Sequence, residues 1–508
     1  MRVLFVSSEI YPLTKTGGLA DVSAALPAAL AELGFDMRLV MPAYPQAIER
    51  AERLGRPIRL DGIPGTDEAR IVPARTPDSG LPVWLIDCPA LYRRLGGPYQ
   101  DAQGRDWPDN ALRFTALAHA AARLSDGDVD PGWRAEVVHA NDWQTGLVPL
   151  LLMQRGARRP ATLFTIHNMA FQGIFGAGLL PKLGVPMDSF STDGIEFYGK
   201  MSFLKAGLRY SDHLTTVSPT YAREILTPEF GYGLEGLLQS RGKHITGILN
   251  GADYAVWDPV HDPHLPCQYS AQDMAGKRVC KARLQAELGL AVAADAPILA
   301  FLSRITHQKM ADLVLDALPA LLATGAQFVL LGDGEPELER RFDELGMAYP
   351  DQVAVRVGYE EALAHRVQAG ADLLLHPSRF EPCGLVPIYA LRYGTLPLVR
   401  STGGLADIVT DATPQAIQTG RATGFTFSGL STTDLVEAVH RALDMFRQPV
   451  AWRKLQRTAM VQDFGWAKPA IEYRRLYHEL CGRPIPAEAL PSPDPAIAAQ
   501  INGTIGAG

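Results

Sequence analysis

The sequence predicts an α/β protein made of two doubly wound parallel-sheet halves. Three observations predict it. Short apolar runs alternate with helix-length runs along most of the chain, the pattern of strand–helix–strand units. Polar and glycine-rich clusters follow those apolar runs, at the carboxyl ends where parallel sheets place ligands. The hexapeptide Thr16-Gly17-Gly18-Leu19-Ala20-Asp21 recurs as Thr402-Gly403-Gly404-Leu405-Ala406-Asp407, each copy ahead of an apolar helix-like run. One such loop falls in each half, and the two are expected to face a common cleft. At 508 residues the chain exceeds one typical core.

The first half opens with a buried strand over 2–6 that runs into Glu9 and the Lys15 loop. A helix over 20–33 closes at Gly34, and 37–41 is the next strand. Residues 43–78 are richer in Pro, Gly and charge and suit a small hairpin excursion. Residues 83–87 return to the sheet, and 110–124 read as an alanine-rich amphipathic helix. The run Val137-Val138-His139 enters Asn141-Asp142-Trp143-Gln144, and Leu163 to Ile166 enters His167-Asn168. Asp142, His167 and Lys15 are thereby placed on one edge of one sheet, an edge that suits ligand binding. Residues 196–209 read as a helix carrying Lys200 and Lys205. Gly231-Tyr-Gly-Leu-Glu-Gly236 matches a dinucleotide fingerprint literally but follows no strand, so it is discounted. A strand over 245–249 ends in Asn250-Gly251, and 257–264 resemble a linker.

The second half begins with a strand over 298–302 that delivers Arg304 and Lys309 to a strand-to-helix turn. Arg as a forked donor and Lys as a point charge suit a diphosphate there. Residues 327–331 lead into Gly332-Asp333-Gly334, and 353–357 end in Gly358-Tyr359. A short apolar strand over 371–375 precedes Ser378-Arg379-Phe380-Glu381-Pro382-Cys383-Gly384-Leu385, and a helix follows over 386–393. An acid in this tight loop either caps the helix or faces something electropositive or rich in hydroxyls, such as a sugar. A last strand over 423–427 and helices over 433–446 and 466–480 complete the pattern.

Composition narrows the class. Hydrophobic residues make up 47% and charged residues 20%, as in ordinary globular proteins. A net charge of −7 argues against a nucleic-acid partner, which needs a basic surface. Five scattered cysteines with no Cys-x-x-Cys indicate neither a disulfide framework nor a cysteine zinc site, and suggest a reducing compartment. No signal-peptide pattern or membrane-length apolar run is present, so a cytoplasmic protein without a membrane partner is expected. The Walker lysine motif, His-Glu-x-x-His and Gly-x-Ser-x-Gly are missing, which disfavours P-loop phosphate transfer, zinc hydrolysis and the serine hydrolase elbow.

With these residues assembled, the chain resembles the bacterial glycogen synthases, the family shared with plant starch synthases. The resemblance is carried by Lys15-Thr-Gly-Gly-Leu-Ala-Asp-Val22, His139-Ala-Asn-Asp-Trp143, Thr165-Ile-His-Asn168, Phe203-Leu-Lys-Ala-Gly207, Thr216-Val-Ser-Pro-Thr-Tyr-Ala-Arg-Glu224 and Leu249-Asn-Gly251. It continues through Ser303-Arg304 with Gln308-Lys309, then Pro377-Ser-Arg-Phe-Glu-Pro-Cys-Gly-Leu385 through the second Thr-Gly-Gly loop. It implies the GT-B fold, two Rossmann-like domains about a cleft. Residues 1–255 would form the acceptor-side starch synthase domain and 256–464 the nucleotide-sugar domain. A helix over 465–482 would cross back to the first domain, ahead of a disordered tail over 483–508.

The resemblance further implies transfer of glucose from ADP-glucose to the 4-hydroxyl of an α-1,4-glucan, with retention and without a metal cofactor. Arg304 and Lys309 would neutralise the departing diphosphate. Lys15 and the Gly17 and Gly18 amides would bind the same phosphates from the opposite domain. Glu381 would hold glucose hydroxyls, and the His167 backbone carbonyl would stabilise positive charge at the sugar ring. Asp21 and Asn168 would contact donor or sugar, Asp142 would orient the acceptor, and Tyr359 would stack on adenine. Asn250, Cys383 and the Gly384 and Leu385 amides would complete the substrate site. Gln144, Met310 and Tyr389 mark departures: Gln144 stands where the family usually has His, Met310 where it has Gly, and Tyr389 where many other retaining transferases carry a second Glu. Three alternatives remain on the residues alone: a same-fold transferase with a small acceptor, a nicotinamide-dependent dehydrogenase, and a non-catalytic glucan-binding protein.

Overall fold

Strand β1 (Arg2–Val6) lies in the middle of a mostly parallel sheet because its residues are apolar on both faces and need cover on both. The structure is a computed structural model that describes residues 1–156 and 159–485. In chain order the other strands of the first sheet are β2 (Asp36–Pro42), β3 (Glu52–Arg53), β4 (Ile58–Arg59), β5 (Arg70–Arg75), β6 (Pro82–Asp87), β7 (Val137–Asn141) and β8 (Ala161–Ile166). A small separate sheet holds β9 (Ile174–Gly176), β10 (Glu196–Phe197) and β11 (Lys200–Ser202); β12 (His213–Thr216) and β13 (Ile245–Gly247) return to the main one. Its order is β13-β12-β8-β7-β1-β2-β6-β5-β3, with β4 on β5. Pairing is parallel from β13 to β6 and antiparallel beyond, where the polar 43–78 excursion adds its hairpin strands.

From β1 the chain builds outward through β2 to β6, then returns to β7 on the other side of β1. The switch point is therefore between β1 and β7, and the Lys15 loop and Asp142 follow those two strands.

The second sheet is parallel throughout. It comprises β14 (Ile298–Leu302), β15 (Gln327–Gly332), β16 (Val353–Val357), β17 (Leu373–His376), β18 (Leu396–Arg400) and β19 (Phe425–Phe427), in the order β16-β15-β14-β17-β18-β19. Its switch point lies between β14 and β17, the strands that deliver Lys309 and Glu381. By contacts the chain divides into two compact units: Met1–Gly251 with the segment beginning at Trp466, and Ala252–Gly465. Within the first unit the helix Ala467–Leu480 is anchored by the Tyr477 hydroxyl, 2.8 Å from His139 Nδ1, and by Tyr477 packing edge-on against Phe35.

Three local expectations are corrected, and one helix is added. Residues 196–209 are not one helix: β10 and β11 form a hairpin turning at Tyr198-Gly199, and the helix Phe203–Tyr210 begins only after Ser202, whose Oγ accepts the Lys205 N–H at 3.1 Å. Lys205 is spent inside the unit, donating to the carbonyls of Thr192 and Glu196. The helix Asn110–Ser125 is buried almost all round rather than on one face, because alanines let neighbours approach from every side. The supposed linker at 257–264 is pinned: Trp257 is sandwiched between His365 at 3.8 Å and Tyr389 at 4.2 Å, while Asp262 accepts from His365 and Tyr393, and Asp258 pairs with Arg392. The helix Pro449–Met460 is an addition that sequence periodicity did not flag. Of the tail expected to be disordered, residues 486–508 lie outside the described residues.

Candidate active site

In the first unit, the chain leaving β1 turns through Glu9 before it reaches Lys15. Glu9 is buried, and its carboxylate accepts the Thr16 N–H at 2.5 Å, the Thr16 hydroxyl at 2.9 Å and the Tyr99 hydroxyl at 2.8 Å. Burial raises the Glu9 pKa, and these donors oppose the rise. Glu9 thus fixes the loop that leads into the helix Gly18–Glu32. Lys15 Nζ pairs with Asp21 at 2.8 Å and lies over the Tyr11 ring. Gly17 is exposed in an extended conformation, and a Cβ there would meet nothing within 4 Å. Neither backbone conformation nor packing demands glycine at that position, so what it provides is open access to the backbone.

The neighbouring strand β7 ends in Asn141, and Asp142 follows it. Asn141 Nδ2 donates to the Val6 carbonyl at 3.1 Å, so its Oδ1 faces His167 Nε2, also at 3.1 Å, and that nitrogen carries the proton. Burial holds the His167 pKa far below its ordinary value, leaving a neutral imidazole. Asp142 has φ 61°, an uncommon conformation for a non-glycine residue and one that clusters at functional sites. Burial raises its pKa to about 7, against the opposing pull of the His167, Asn168 and Trp143 N–H groups. Asp142 Oδ1, Gln144 Oε1 and Asn250 Oδ1 are buried with no hydrogen-bond partner. All three follow the carboxyl ends of β7 and β13, the edge where parallel sheets place ligands, so a ligand's donors would satisfy them there. Asn168 uses its Oδ1 on the Ala170 N–H at 3.0 Å, a turn-forming bond.

In the second unit, the turn after β14 carries Arg304 and Lys309. Arg304 is exposed and donates to Gln308 Oε1 at 3.3 Å. Lys309 points at Glu381: Nζ is paired with Oε2, and both side chains are largely buried. The same Oε2 accepts from His376 Nε2 and from the Ser378 hydroxyl, each at 3.0 Å. Burial alone would raise the Glu381 pKa. The Lys309 charge and the His376 hydrogen bond outweigh it and hold the carboxyl well below its ordinary range. Burial, helped by Lys309, lowers the His376 pKa, so His376 stays neutral beside the pair.

The loop is braced from two directions. Arg379 forks onto Asp312 at 2.7 and 2.8 Å, and its N–H donates to the Gln308 carbonyl. The Gly404 N–H donates to the Glu381 carbonyl at 3.0 Å, and a Cβ on Gly404 would stand 2.1 Å from the Cys383 carbonyl oxygen. The second Thr-Gly-Gly loop is therefore a brace packed on the Glu381 loop, whereas the first presents an open glycine. Gly384 adopts φ 103° and precedes the helix Leu385–Arg392, which starts without a side-chain cap and leaves its first N–H groups for other acceptors. Cys383 is buried in the same loop.

The structure brings Lys309 and Glu381 together, Lys15 with Asp21, and Asp142 with His167. Tyr359 stands apart from Glu381, exposed beyond β16 and three strands from β17, about 14 Å at usual strand spacing. Sequence reasoning named Glu9 and Asn141 at strand ends without giving either a role, and it missed His376. The available signal was a polar residue at or just beyond the end of each buried strand. Of the three departures, Gln144 is a buried orphan, Met310 is fully buried with φ 55°, and Tyr389 stacks on Trp257.

Two doubly wound units with charged loops at their switch points form the architecture of GT-B glycosyltransferases. Family models agree with that class: residues 289–457 match "Glycosyl transferases group 1" and residues 2–240 match "Starch synthase catalytic domain". The chain belongs to the glycogen synthase family. It is 52% identical over 489 residues to a glycogen synthase of Paramagnetospirillum magneticum, covering 95% of this chain and 98% of that one. It is 51% identical to a glycogen synthase of Burkholderia thailandensis, covering 94% and 91%. Its fold matches the catalytic domain of starch synthase IV from Arabidopsis thaliana bound to ADP and acarbose, with a TM-score of 0.87, 32% identity and coverage of 95% and 99%.

Proposed function

We propose that the enzyme transfers glucose from ADP-glucose to the non-reducing end of an α-1,4-glucan with retention of anomeric configuration, acting in the cytoplasm without a metal cofactor. The observation that carries this reading is the Lys309–Glu381 pair at the β14/β17 switch point, with Arg304 on the same turn. Glu381 stays ionised, and its hydrogen bonds all fall on Oε2, so Oε1 is the oxygen left for glucose hydroxyls. Its charge also offsets positive charge as the glycosidic bond breaks. Arg304, Lys309 and the uncapped helix start at Leu385 stabilise the departing diphosphate. The ADP in the Arabidopsis neighbour supports the adenine nucleotide, for which Tyr359 is the stacking candidate.

Lys15, held by Glu9 through its loop, supplies a second cation, with Asp21 setting its direction. Neutral His167 contributes its backbone carbonyl at the sugar ring. Asp142, Asn168 and Asn250 hold sugar hydroxyls, the buried acceptors of Asp142 and Asn250 being matched to hydroxyl donors. Retention follows if a diphosphate oxygen takes the proton of the acceptor 4-hydroxyl on the face that the leaving group vacates. The C1–O bond to the diphosphate then breaks as the C1–O bond to the acceptor forms.

The test measures nucleotide release and glucan growth on a glycogen primer, comparing ADP-glucose with UDP-glucose in excess chelator. Primer-dependent turnover favouring ADP-glucose is the expected result. Turnover with UDP-glucose alone overturns the donor assignment, and loss of turnover in chelator overturns the metal-free one.

A further inference from the structure

Five aromatic side chains are exposed among the described residues: Phe171, Tyr198, Tyr232, Tyr349 and Tyr359. Three of them fall at one place in the first unit, just beyond the His167-Asn168 loop. The Phe171 N–H donates to the Asn168 carbonyl at 3.3 Å. The next residue, Gln172, donates its amide to the Tyr232 carbonyl at 2.9 Å. Gly233, beside Tyr232, lies against the β10–β11 hairpin, where a Cβ would stand 3.6 Å from the Tyr198 ring and 3.2 Å from the Phe197 ring. Phe197 meets Tyr198 edge-on, with ring centroids 4.7 Å apart.

The backbone gives an independent observation. Four non-glycine residues among those described have positive φ: Asp142, Tyr198, Tyr232 and Met310. Two of the four are these exposed tyrosines. Tyr198 and Gly199 are the central residues of a two-residue hairpin turn, with φ 49° and 76°, and such turns favour Asn or Gly first. Tyr232 ends the helix Pro228–Gly231 in the left-handed conformation, a position where glycine is the usual choice. Bulky residues in that region are outliers. Tyr198 is 83% exposed, so burial does not offset its strained backbone. Strain retained without burial is expected where the side chain is used.

We propose that Phe171, Tyr198 and Tyr232 form an aromatic platform that binds a stretch of the glucan acceptor. This rests on the glucosyl-transfer reading above. A glucopyranose ring presents apolar C–H faces and a hydroxyl edge. The three aromatic faces match the first feature and the Tyr198 and Tyr232 hydroxyls the second, and exposed apolar patches of this kind mark ligand-binding surfaces. The platform continues from the His167-Asn168 loop through a direct backbone hydrogen bond, so a chain whose end is held there extends onto it. It therefore adds affinity for long acceptors over short ones.

The test compares Tyr198→Gly and Phe171→Ala with wild type. Glycine relieves the turn, so Tyr198→Gly keeps or raises Tm, which separates binding from folding. The expected result is a KM for glycogen raised at least fivefold in both variants, with the KM for ADP-glucose unchanged. Retardation in glycogen-containing native gels without donor weakens, and the advantage of long over short maltooligosaccharides shrinks. Variants with wild-type glycogen KM and retardation, beside an active wild type, overturn the platform alone. Variants that change only the size-exclusion volume assign the patch to a second copy of the chain and also overturn it. A wild type that neither elongates nor is retarded by α-glucan overturns the glucosyl-transfer reading and the platform together.

Discussion

Lys309 Nζ and Glu381 Oε2 form an ion pair with side chains only 12% and 9% exposed, from two loops 72 residues apart. Removing one partner leaves the other charge buried and uncompensated, a loss of about 3–5 kcal/mol. Lys309→Ala should therefore destabilise more than the double variant Lys309→Ala/Glu381→Gln, which removes both charges. Each single variant should also lower kcat by about 10²–10³. Urea unfolding at pH 7 and steady-state turnover check both statements. Near-normal turnover in Lys309→Ala would sink the phosphate role. The pair has a pH signature as well. The folded pKa of Glu381 lies below its unfolded value, so its contribution is full above the ordinary Glu range and is lost as pH falls through the folded value.

The two Thr-Gly-Gly loops look alike in sequence and differ in what their glycines meet. Gly17→Ala adds a Cβ into open space on an extended backbone, so Tm should be unchanged. Turnover should fall, by up to about 10² if the donor is displaced by about 1 Å. Gly404→Ala drives a Cβ into the Cys383 backbone, which is 2.1 Å away. That should cost about 1–3 kcal/mol and shift the Glu381 loop through the Gly404–Glu381 hydrogen bond. Thermal melts beside kinetics separate the two behaviours, and a destabilised Gly17→Ala would contradict the open-access account.

Asp142 gives a second pH effect of opposite sign. Burial lifts its folded pKa to about 7 from 3.8, so the folded state holds a proton that the unfolded chain releases in that interval. Its stabilising contribution is present below the unfolded pKa and is lost as pH rises through about 7. Asp142→Asn should flatten the stability profile between those values and gain at most ~4 kcal/mol relative to wild type at pH 8. Urea midpoints of both proteins across pH 4–8 provide the check, and parallel curves would refute it.

The legible part of this protein is the part fixed by local composition. Strands such as β1, β14 and β17, and the Val137-Val138 start of β7, are buried on both faces, so they read as apolar runs. Their carboxyl ends then place Lys15, Asp142, Lys309 and Glu381 without any tertiary information. What stayed hidden depends on partners far apart in the chain. Glu9 matters because it folds back on Thr16 and meets Tyr99, and His376 because its ring reaches Glu381. The β10–β11 hairpin was masked because Tyr198, a poor turn residue, occupies the turn. The 257–264 segment looked like a linker because Pro, Asp and His suggest exposure, yet Asp258 and Asp262 are buried with charged or hydroxyl partners.

Met310 tests whether conformational freedom or burial governs the turn that carries Lys309. Its φ of 55° lies where glycine is unstrained, and a non-glycine residue there costs about 1–2 kcal/mol. On that ground alone, Met310→Gly should stabilise. The side chain, however, is fully buried against the second unit's core, and truncating such a residue costs about 2–5 kcal/mol. Burial is the larger effect, so Met310→Gly should be less stable by up to about 4 kcal/mol, the widest difference of those two ranges. Lys309 keeps its partner Glu381 in the variant, so turnover should fall far less than in Lys309→Ala. Chemical denaturation decides the sign. A more stable Met310→Gly would mean that backbone strain outweighs packing in this turn.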